Sequence, residues 1–191
     1  MRAAGIAVFV IVSLALQTTL ARFLTPGANL IDLVFVAVVC IALTGGPVAG
    51  LVAGAIAGLT QDALAATGVS VIAIGAGVAT SRSIIGIGGL AKTVIGFVTG
   101  IIGTQFIVAR PLPRAFVFFT ATVGHAIMFL GLYAVVDPGY GGTPYGTVLS
   151  QAGAHALTGV VIFQIGESMP GFMDRRRSAG GGRMRINRRL D

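Results

Sequence analysis

Glycine recurs at every fourth position in the segment GGPVAGLVAGAIAGLTQD, which covers residues 45 to 62. Residues four apart lie on one face of a helix, so this spacing predicts a smooth face that a second backbone can approach closely. In hydrocarbon a helix keeps its own backbone hydrogen bonds, so the glycines become a packing groove and not a weak point. The partner is either another helix of this chain or a helix of a second protein. The residues on this face are Gly46, Gly50, Gly54, Gly58 and Asp62.

The chain as a whole is far more apolar than a soluble domain. Of its 191 residues, 55% are hydrophobic and 10% are charged, with a mean hydropathy of +0.94, whereas an average soluble domain is about 25% charged. The composition therefore predicts an all-α polytopic membrane protein with one transmembrane helical bundle, residues 1 to 171, followed by a disordered cytoplasmic tail, residues 172 to 191. The only cysteine, Cys40, lies in an apolar run, which excludes an internal disulfide.

The net charge of +7 is concentrated in that tail, DRRRSAGGGRMRINRRLD. Three interpretations fit it: an orientation signal, attraction to anionic lipid worth about 1 kcal/mol per basic residue, or a docking arm for a cytoplasmic partner. A short arm without interleaved aromatic residues is a poor candidate for binding nucleic acid, and we expect no nucleic-acid partner. Its arginines are Arg175, Arg176, Arg177, Arg183, Arg185, Arg188 and Arg189.

Charged residues and turn formers divide the apolar sequence into about six predicted transmembrane helices. The uncharged stretch between Asp32 and Asp62 is broken by Thr44-Gly45-Gly46-Pro47, which predicts a hairpin that returns both aspartates to the same membrane face. Residues 63 to 83 are either a further span or a re-entrant or interfacial excursion, and we favour a segment that does not cross because long aliphatic residues are few there. The predicted helices cover residues 3 to 21, 29 to 44, 47 to 63, 84 to 109, 115 to 136 and 146 to 169.

The arginines predict the orientation of these helices. Residues 110 to 114, RPLPR, are predicted to form a tight turn between the fourth and fifth helices. With six helices this turn, the tail and the amino terminus share one side, which the positive-inside rule makes cytoplasmic.

A second ladder with the same spacing contains a lysine, in the order Gly88, Lys92, Gly96, Gly100. We therefore predict that the third and fourth helices meet glycine face to glycine face, with Asp62 and Lys92 paired at the rim. A charge left alone in hydrocarbon costs at least about 2.5 kcal/mol. The alternative is that each side chain reaches the interface separately.

Two histidines, His125 and His155, fall near the middles of the predicted fifth and sixth helices. They fit a proton relay or, more simply, hydrogen-bonded structural positions, and we expect no carboxylate at the same depth to complete a relay. The sequence has no HExxH, GxSxG in a strand-to-helix setting, Walker loop or paired metal ligands. These patterns indicate a protein that is not an enzyme and holds no cofactor or metal.

Three segments resemble the rod shape-determining protein MreD family. They are the hairpin NLIDLVFVAVVCIALTGGPVAG, the motif GLTQDAL with Asp62, and the segment GIGGLAKTVIGFVTG from Gly86 to Gly100. The resemblance implies a non-catalytic scaffold of peptidoglycan elongation in the bacterial cytoplasmic membrane, beside an MreC-like single-span protein, RodA, a class B penicillin-binding protein and MreB. It also implies a fold similar to the S components of ECF-type vitamin transporters. The residues expected to clasp the partner helix are Gly50, Gly54, Gly58 and Asp62.

Two other functions are compatible with the sequence. One is an actual S component, binding a vitamin-like molecule in an outward pocket and docking through small residues such as Ala3 and Ala7. The other is a proton-coupled carrier that uses His125 and His155.

Overall fold

The structure is a computed structural model that describes residues 3 to 23, 31 to 66, 86 to 105, 110 to 136 and 145 to 168. These residues form helices and no strand, so the predicted all-helical class is confirmed. The helices are α1 (Ala3–Phe23), α2 (Leu33–Gly45), α3 (Pro47–Ala66), α4 (Ile87–Gln105), α5 (Pro111–Val136) and α6 (Tyr145–Ser168).

Four of these helices, α3 to α6, are long and apolar enough to cross a membrane. The chain therefore has the character of a membrane protein, while α1 and α2 hold shorter apolar stretches and the number of crossings stays a prediction. The arginine tail and most of the segment from residue 63 to 83 lie outside the described residues.

Two helix starts differ from the prediction for local reasons. Helix α2 begins at Leu33 because Asp32 caps it, with its Oδ1 accepting the backbone N–H of Phe35 at 3.0 Å. The tight turn predicted for residues 110 to 114 is wrong, because α5 already begins at Pro111. Proline suits a first helical turn, where its fixed φ fits and its missing N–H leaves no bond unmade.

Helix α2 lies at the centre of the bundle. It contacts all five other helices, and nine consecutive residues from Val34 to Ala42 are buried. Around it, α1 contacts α3, α3 contacts α4, α4 contacts α5 and α5 contacts α6. Among the described residues α1 and α6 make no backbone contact, so the shell around α2 is open between them.

Candidate functional site

The glycine face of α3 packs against α4 of the same chain, as one of the two interpretations predicted. A Cβ atom added to Gly54 would lie 2.7 Å from the carbonyl carbon of Lys92. One added to Gly96 would lie 2.9 Å from the carbonyl carbon of Gly50, and one on Gly58 would lie 2.9 Å from the nitrogen of Gly89. Real Cβ atoms do not approach backbone so closely, so these glycines are required for contact between the two helices. The face is covered by α4, so a second protein's helix has to use another surface.

The first glycine of the ladder, Gly46, has a different role from the one predicted. It stands between α2 and α3 with φ of +85°, and its N–H donates to the carbonyl of Ala42 at 2.9 Å. Glycine adopts this left-handed backbone without steric cost, so Gly46 allows the chain to reverse direction. On the facing helix, a Cβ on Gly100 would lie 2.7 Å from the carbonyl carbon of Gly46, so the hairpin itself rests on α4.

The cation of α4 is paired with a different aspartate from the one predicted. Lys92, the only lysine in the chain, places its Nζ 2.9 Å from Oδ2 of Asp32. The exposed fractions of the two side chains are 3% and 0%. The predicted pair of Lys92 with Asp62 is therefore wrong, as is the alternative that Lys92 reaches the interface alone.

The length of α2 explains why Asp32 is the partner. Helix α2 has 13 residues and α5 has 26, which correspond to about 20 and 39 Å at 1.5 Å per residue. A helix this short does not need to reach the ends of the longer ones, and its N-cap Asp32, 1% exposed, lies among the other helices instead of at the rim. Lys92 is five residues after Ile87, about 7.5 Å along α4, and its contact with Asp32 shows that the two side chains lie at the same level.

Amide side chains complete the coordination of this ion pair. The Nε2 of Gln61 donates to Oδ1 of Asp32 at 3.2 Å, and the Nζ of Lys92 donates to Oε1 of Gln61. Next to the pair, the backbone N–H of Val34 donates to Oε1 of Gln17 at 3.0 Å. These bonds connect α2, through Asp32 and Val34, to α1, α3 and α4, because the three other side chains each belong to a different helix.

His155 extends the network to α5 and α6. Its Nε2 accepts the backbone N–H of Asp32 at 2.8 Å, so the ring proton is assigned to Nδ1. Nδ1 lies 3.1 Å from the Thr122 hydroxyl, which donates onward to the carbonyl of Phe118 at 2.8 Å. The hydrogen-bonded structural interpretation of His155 is thus confirmed. The expectation that no carboxylate shares its level is wrong, since its hydrogen-bond partner is the backbone N–H of Asp32, the residue whose carboxylate pairs with Lys92.

His125 lies close to this network without a hydrogen bond to it. Its side chain is 1% exposed, and its ring centroid lies 5.0 Å from that of Phe35 and 6.1 Å from that of Phe129. Neither ring nitrogen has a hydrogen-bond partner among the described residues. His125 therefore packs as an aromatic ring, and the hydrogen-bonded interpretation does not hold for it.

Asp62 caps the amino end of α4. Its Oδ2 accepts the backbone N–H groups of Gly86 and Gly89 at 2.8 and 2.9 Å. The first N–H groups of a helix have no intrahelical acceptor and carry the positive end of the helix dipole, so a carboxylate is stabilised there. The aspartate thus fixes the end of α3 to the start of α4, and Gly88 leaves room for its Oδ1.

A second ion pair, buried on its arginine side only, joins α5 to α6. Nη2 of Arg114 lies 2.5 Å from Oε1 of Glu167, the only glutamate in the chain, and the guanidinium lies 4.7 Å above the ring of Phe163. Arg114 is 2% exposed. The sequence analysis placed Arg114 in a turn. Its position three residues after Pro111, a residue that suits the start of a helix, is the signal that could have placed it in the first turn of α5.

The central network therefore binds the helices of this chain to one another. Its carboxylate and ammonium form an ion pair, the Gln61 amide bonds to both of them, and the His155 imidazole accepts the backbone N–H of Asp32. In the part of the chain that the structure describes, no group of three or more His, Cys, Asp or Glu residues could hold a metal ion.

Together the fold and the site define a class, a helical membrane protein whose interior charges are neutralised within its own bundle. Comparison with protein families, with curated proteins and with solved structures finds no significant match.

Proposed function

We propose that this protein is a non-catalytic scaffold of the bacterial cytoplasmic membrane that takes part in rod-shaped peptidoglycan synthesis. In this proposal it spans the membrane six times in a fold like that of ECF transporter S components, with both termini in the cytoplasm. It holds an MreC-like single-span protein beside RodA, a class B penicillin-binding protein and MreB, and its arginine tail lies on anionic lipid.

One observation supports this assignment more than any other. The three segments that carry the resemblance to the MreD family meet at a single point in the fold. The hairpin supplies Asp32, the GLTQDAL segment supplies Gln61, and the third segment supplies Lys92. A polar cluster that joins these segments serves to hold their helices in register, which is what a scaffold requires.

A partner helix is expected on the outward faces of the bundle, because α4 covers the glycine face of α3. In hydrocarbon, interior charges are costly unless they are paired, and here Lys92 and Asp32 of the same chain pair with each other. The interior polar groups therefore bind the helices of this chain to one another, and they are not exposed to a partner. The outer surface carries large apolar side chains that a partner helix can contact, such as Ile11 and Val12 of α1 and Leu157 of α6.

Co-purification from the native cell in mild detergent tests this function. We expect a single-span MreC-like protein to be retained, identified by mass spectrometry, and depletion of the chain to turn rod-shaped cells round. Retention of a vitamin-like molecule with an energy-coupling module, and unchanged cell shape on depletion, would instead identify an S component.

A matched pair of variants connects this test to the structure. Lys92→Met removes the ammonium that joins α4 to α2, whereas Ile127→Leu changes an exposed position of α5. We expect only the first to reduce partner retention and to fail to restore rod shape in depleted cells. Equal restoration by both variants would separate the ion pair from the proposed function.

A further inference from the structure

The imidazole of His125 is a buried polar group whose hydrogen bonds are not made by the described residues. Its side chain is 1% exposed, and neither Nδ1 nor Nε2 has a partner there. A neutral imidazole carries one N–H donor and one nitrogen acceptor, so two hydrogen-bonding positions are left over. A buried donor or acceptor without a partner destabilises a fold, and such groups in proteins are normally bonded to protein or to ordered water.

The ion pair of Asp32 and Lys92 also has hydrogen-bonding positions left over. The ammonium of Lys92 has three N–H groups, of which two are directed at Oδ2 of Asp32 and Oε1 of Gln61. Oδ1 of Asp32 accepts from Phe35 and Gln61, whereas Oδ2 has the ammonium as its one partner in the described residues. One donor on Lys92 and one acceptor position on Asp32 therefore remain.

The ring of Phe35 connects His125 to this ion pair in space. Its centroid lies 5.0 Å from that of His125 and 5.6 Å from that of His155, whose Nε2 accepts the backbone N–H of Asp32. The charges of Asp32 and Lys92 are both close enough to act on the His125 ring. His125 is thus a neighbour of the ion pair, on the side of α5.

The charges at this site determine which ligand suits it. The carboxylate of Asp32 disfavours an anion, and the ammonium of Lys92 disfavours a cation. A suitable ligand is neutral, and it both donates and accepts hydrogen bonds because the unpaired positions include donors and acceptors. It is also small, because Asp32, Lys92 and His125 are only 1 to 2% exposed. Water meets these requirements, and a buried water in a protein makes about three hydrogen bonds.

We propose that one water molecule is bound between the imidazole of His125 and the Asp32–Lys92 ion pair. It accepts the third N–H of Lys92, donates to Oδ2 of Asp32 and bonds to one ring nitrogen of His125. Both leftover positions of the ion pair are then occupied, and one of the two on the imidazole. The water adds a second link between α5 and the central network, besides the one through Thr122.

Solid-state NMR of the full chain in lipid bilayers tests this site. The chain has two histidines and one lysine, so ¹⁵N labelling of these residue types gives few side-chain signals, which ¹³C correlations to the backbone assign. Magnetisation that starts on water protons is then transferred to the labelled nitrogens. We expect transfer to a ring nitrogen of His125 and to the ammonium of Lys92, and none to His155. His155 is the internal control, because it is equally buried but both of its nitrogens contact protein groups.

Two variants of α5 supply a matched pair. His125→Phe keeps an aromatic ring and removes its nitrogens, so we expect it to weaken the transfer from water to Lys92. Thr120→Val removes an exposed hydroxyl that donates to carbonyls of its own helix, and we expect it to leave the transfer to His125 and Lys92 unchanged.

The wild-type spectrum alone can overturn the proposal, so the test does not depend on a variant that folds. Absence of transfer to His125 would exclude the water, and transfer to His125 without transfer to Lys92 would exclude the bridge. Transfer to His155 as strong as that to His125 would show water throughout the interior instead of at one site. Unchanged transfer to Lys92 in His125→Phe would remove the imidazole from the site.

Discussion

Replacing Lys92 with methionine is the most informative perturbation of the central network. Methionine keeps an unbranched side chain of similar length and removes the ammonium. The carboxylate of Asp32 then keeps the N–H of Phe35 and the amide of Gln61 but has no cation at 2.9 Å. Removing one partner of a buried ion pair leaves an uncompensated charge and costs about 3 to 5 kcal/mol.

The double variant, Lys92→Met with Asp32→Asn, should lose much less stability than the two single losses added together. Asp32→Asn alone leaves the ammonium of Lys92 without its counter-ion, at a similar cost of about 3 to 5 kcal/mol. Asparagine still caps a helix, so the α2 start is kept. With both changes no buried charge remains, and we expect a total loss below about 3 kcal/mol, which gives a coupling energy of about 3 kcal/mol or more.

The single cysteine makes the measurement simple. Cys40 is buried on α2 in the folded chain, so a thiol-reactive dye reports unfolding when it gains access. Denaturant titrations in lipid-detergent micelles give the free energy of unfolding for the wild type, both single variants and the double variant. The matched cycle uses Asp62→Asn with Lys92→Met, for which we expect nearly additive losses because Asp62 binds backbone N–H groups of α4.

Additive losses for Asp32 and Lys92, together with coupling between Asp62 and Lys92, would refute the reasoning. That result would restore the pairing that glycine spacing suggested. Equal stability of Lys92→Met and wild type would also refute it, because it would mean that the ammonium is not buried with the carboxylate.

Three further predictions use the same assay. Asp62→Ala should cost about 1 kcal/mol because α4 loses its cap, with Asp62→Asn less harmful, and equal losses would contradict the capping role. Gly54→Ala should cost about 1 to 3 kcal/mol, because its Cβ would lie 2.7 Å from the Lys92 carbonyl carbon, while Gly153→Ala, with open space around it, should stay within about 0.5 kcal/mol. His125→Phe should be neutral or stabilising, since both nitrogens lack partners in the described part of the chain, whereas His155→Phe should cost about 1 to 3 kcal/mol; the reverse order would exclude the assigned bonds.

Much of the secondary structure follows from the sequence because turn formers and charges are rare in it. Gly46 and Pro47 mark the hairpin. The recurrence of glycine at every fourth residue identifies the face along which α3 meets α4. Such spacing defines a face on one helix without reference to any other part of the chain. It therefore predicts close contact correctly.

The partner of Lys92 could not be predicted in the same way. Spacing along α3 and α4 says nothing about how deep the end of a third helix lies, and that depth decides which carboxylate is near. Asp32 caps the 13-residue α2 and is buried in the interior, whereas Asp62 is held by the α4 amino terminus. Axial register between helices depends on helix length and packing, which local pattern does not contain.

The most direct test of the central claim is the distance between the lysine and aspartate side chains in a lipid bilayer. Because Lys92 is the only lysine, ¹⁵N-lysine labelling gives one ammonium signal, and solid-state NMR can measure its dipolar coupling to ¹³C-labelled aspartate carboxyls. We predict a strong coupling, corresponding to the 2.9 Å contact of Nζ with Oδ2, that persists in Asp62→Asn and disappears in Asp32→Asn. A coupling that disappears in Asp62→Asn and persists in Asp32→Asn would contradict the account.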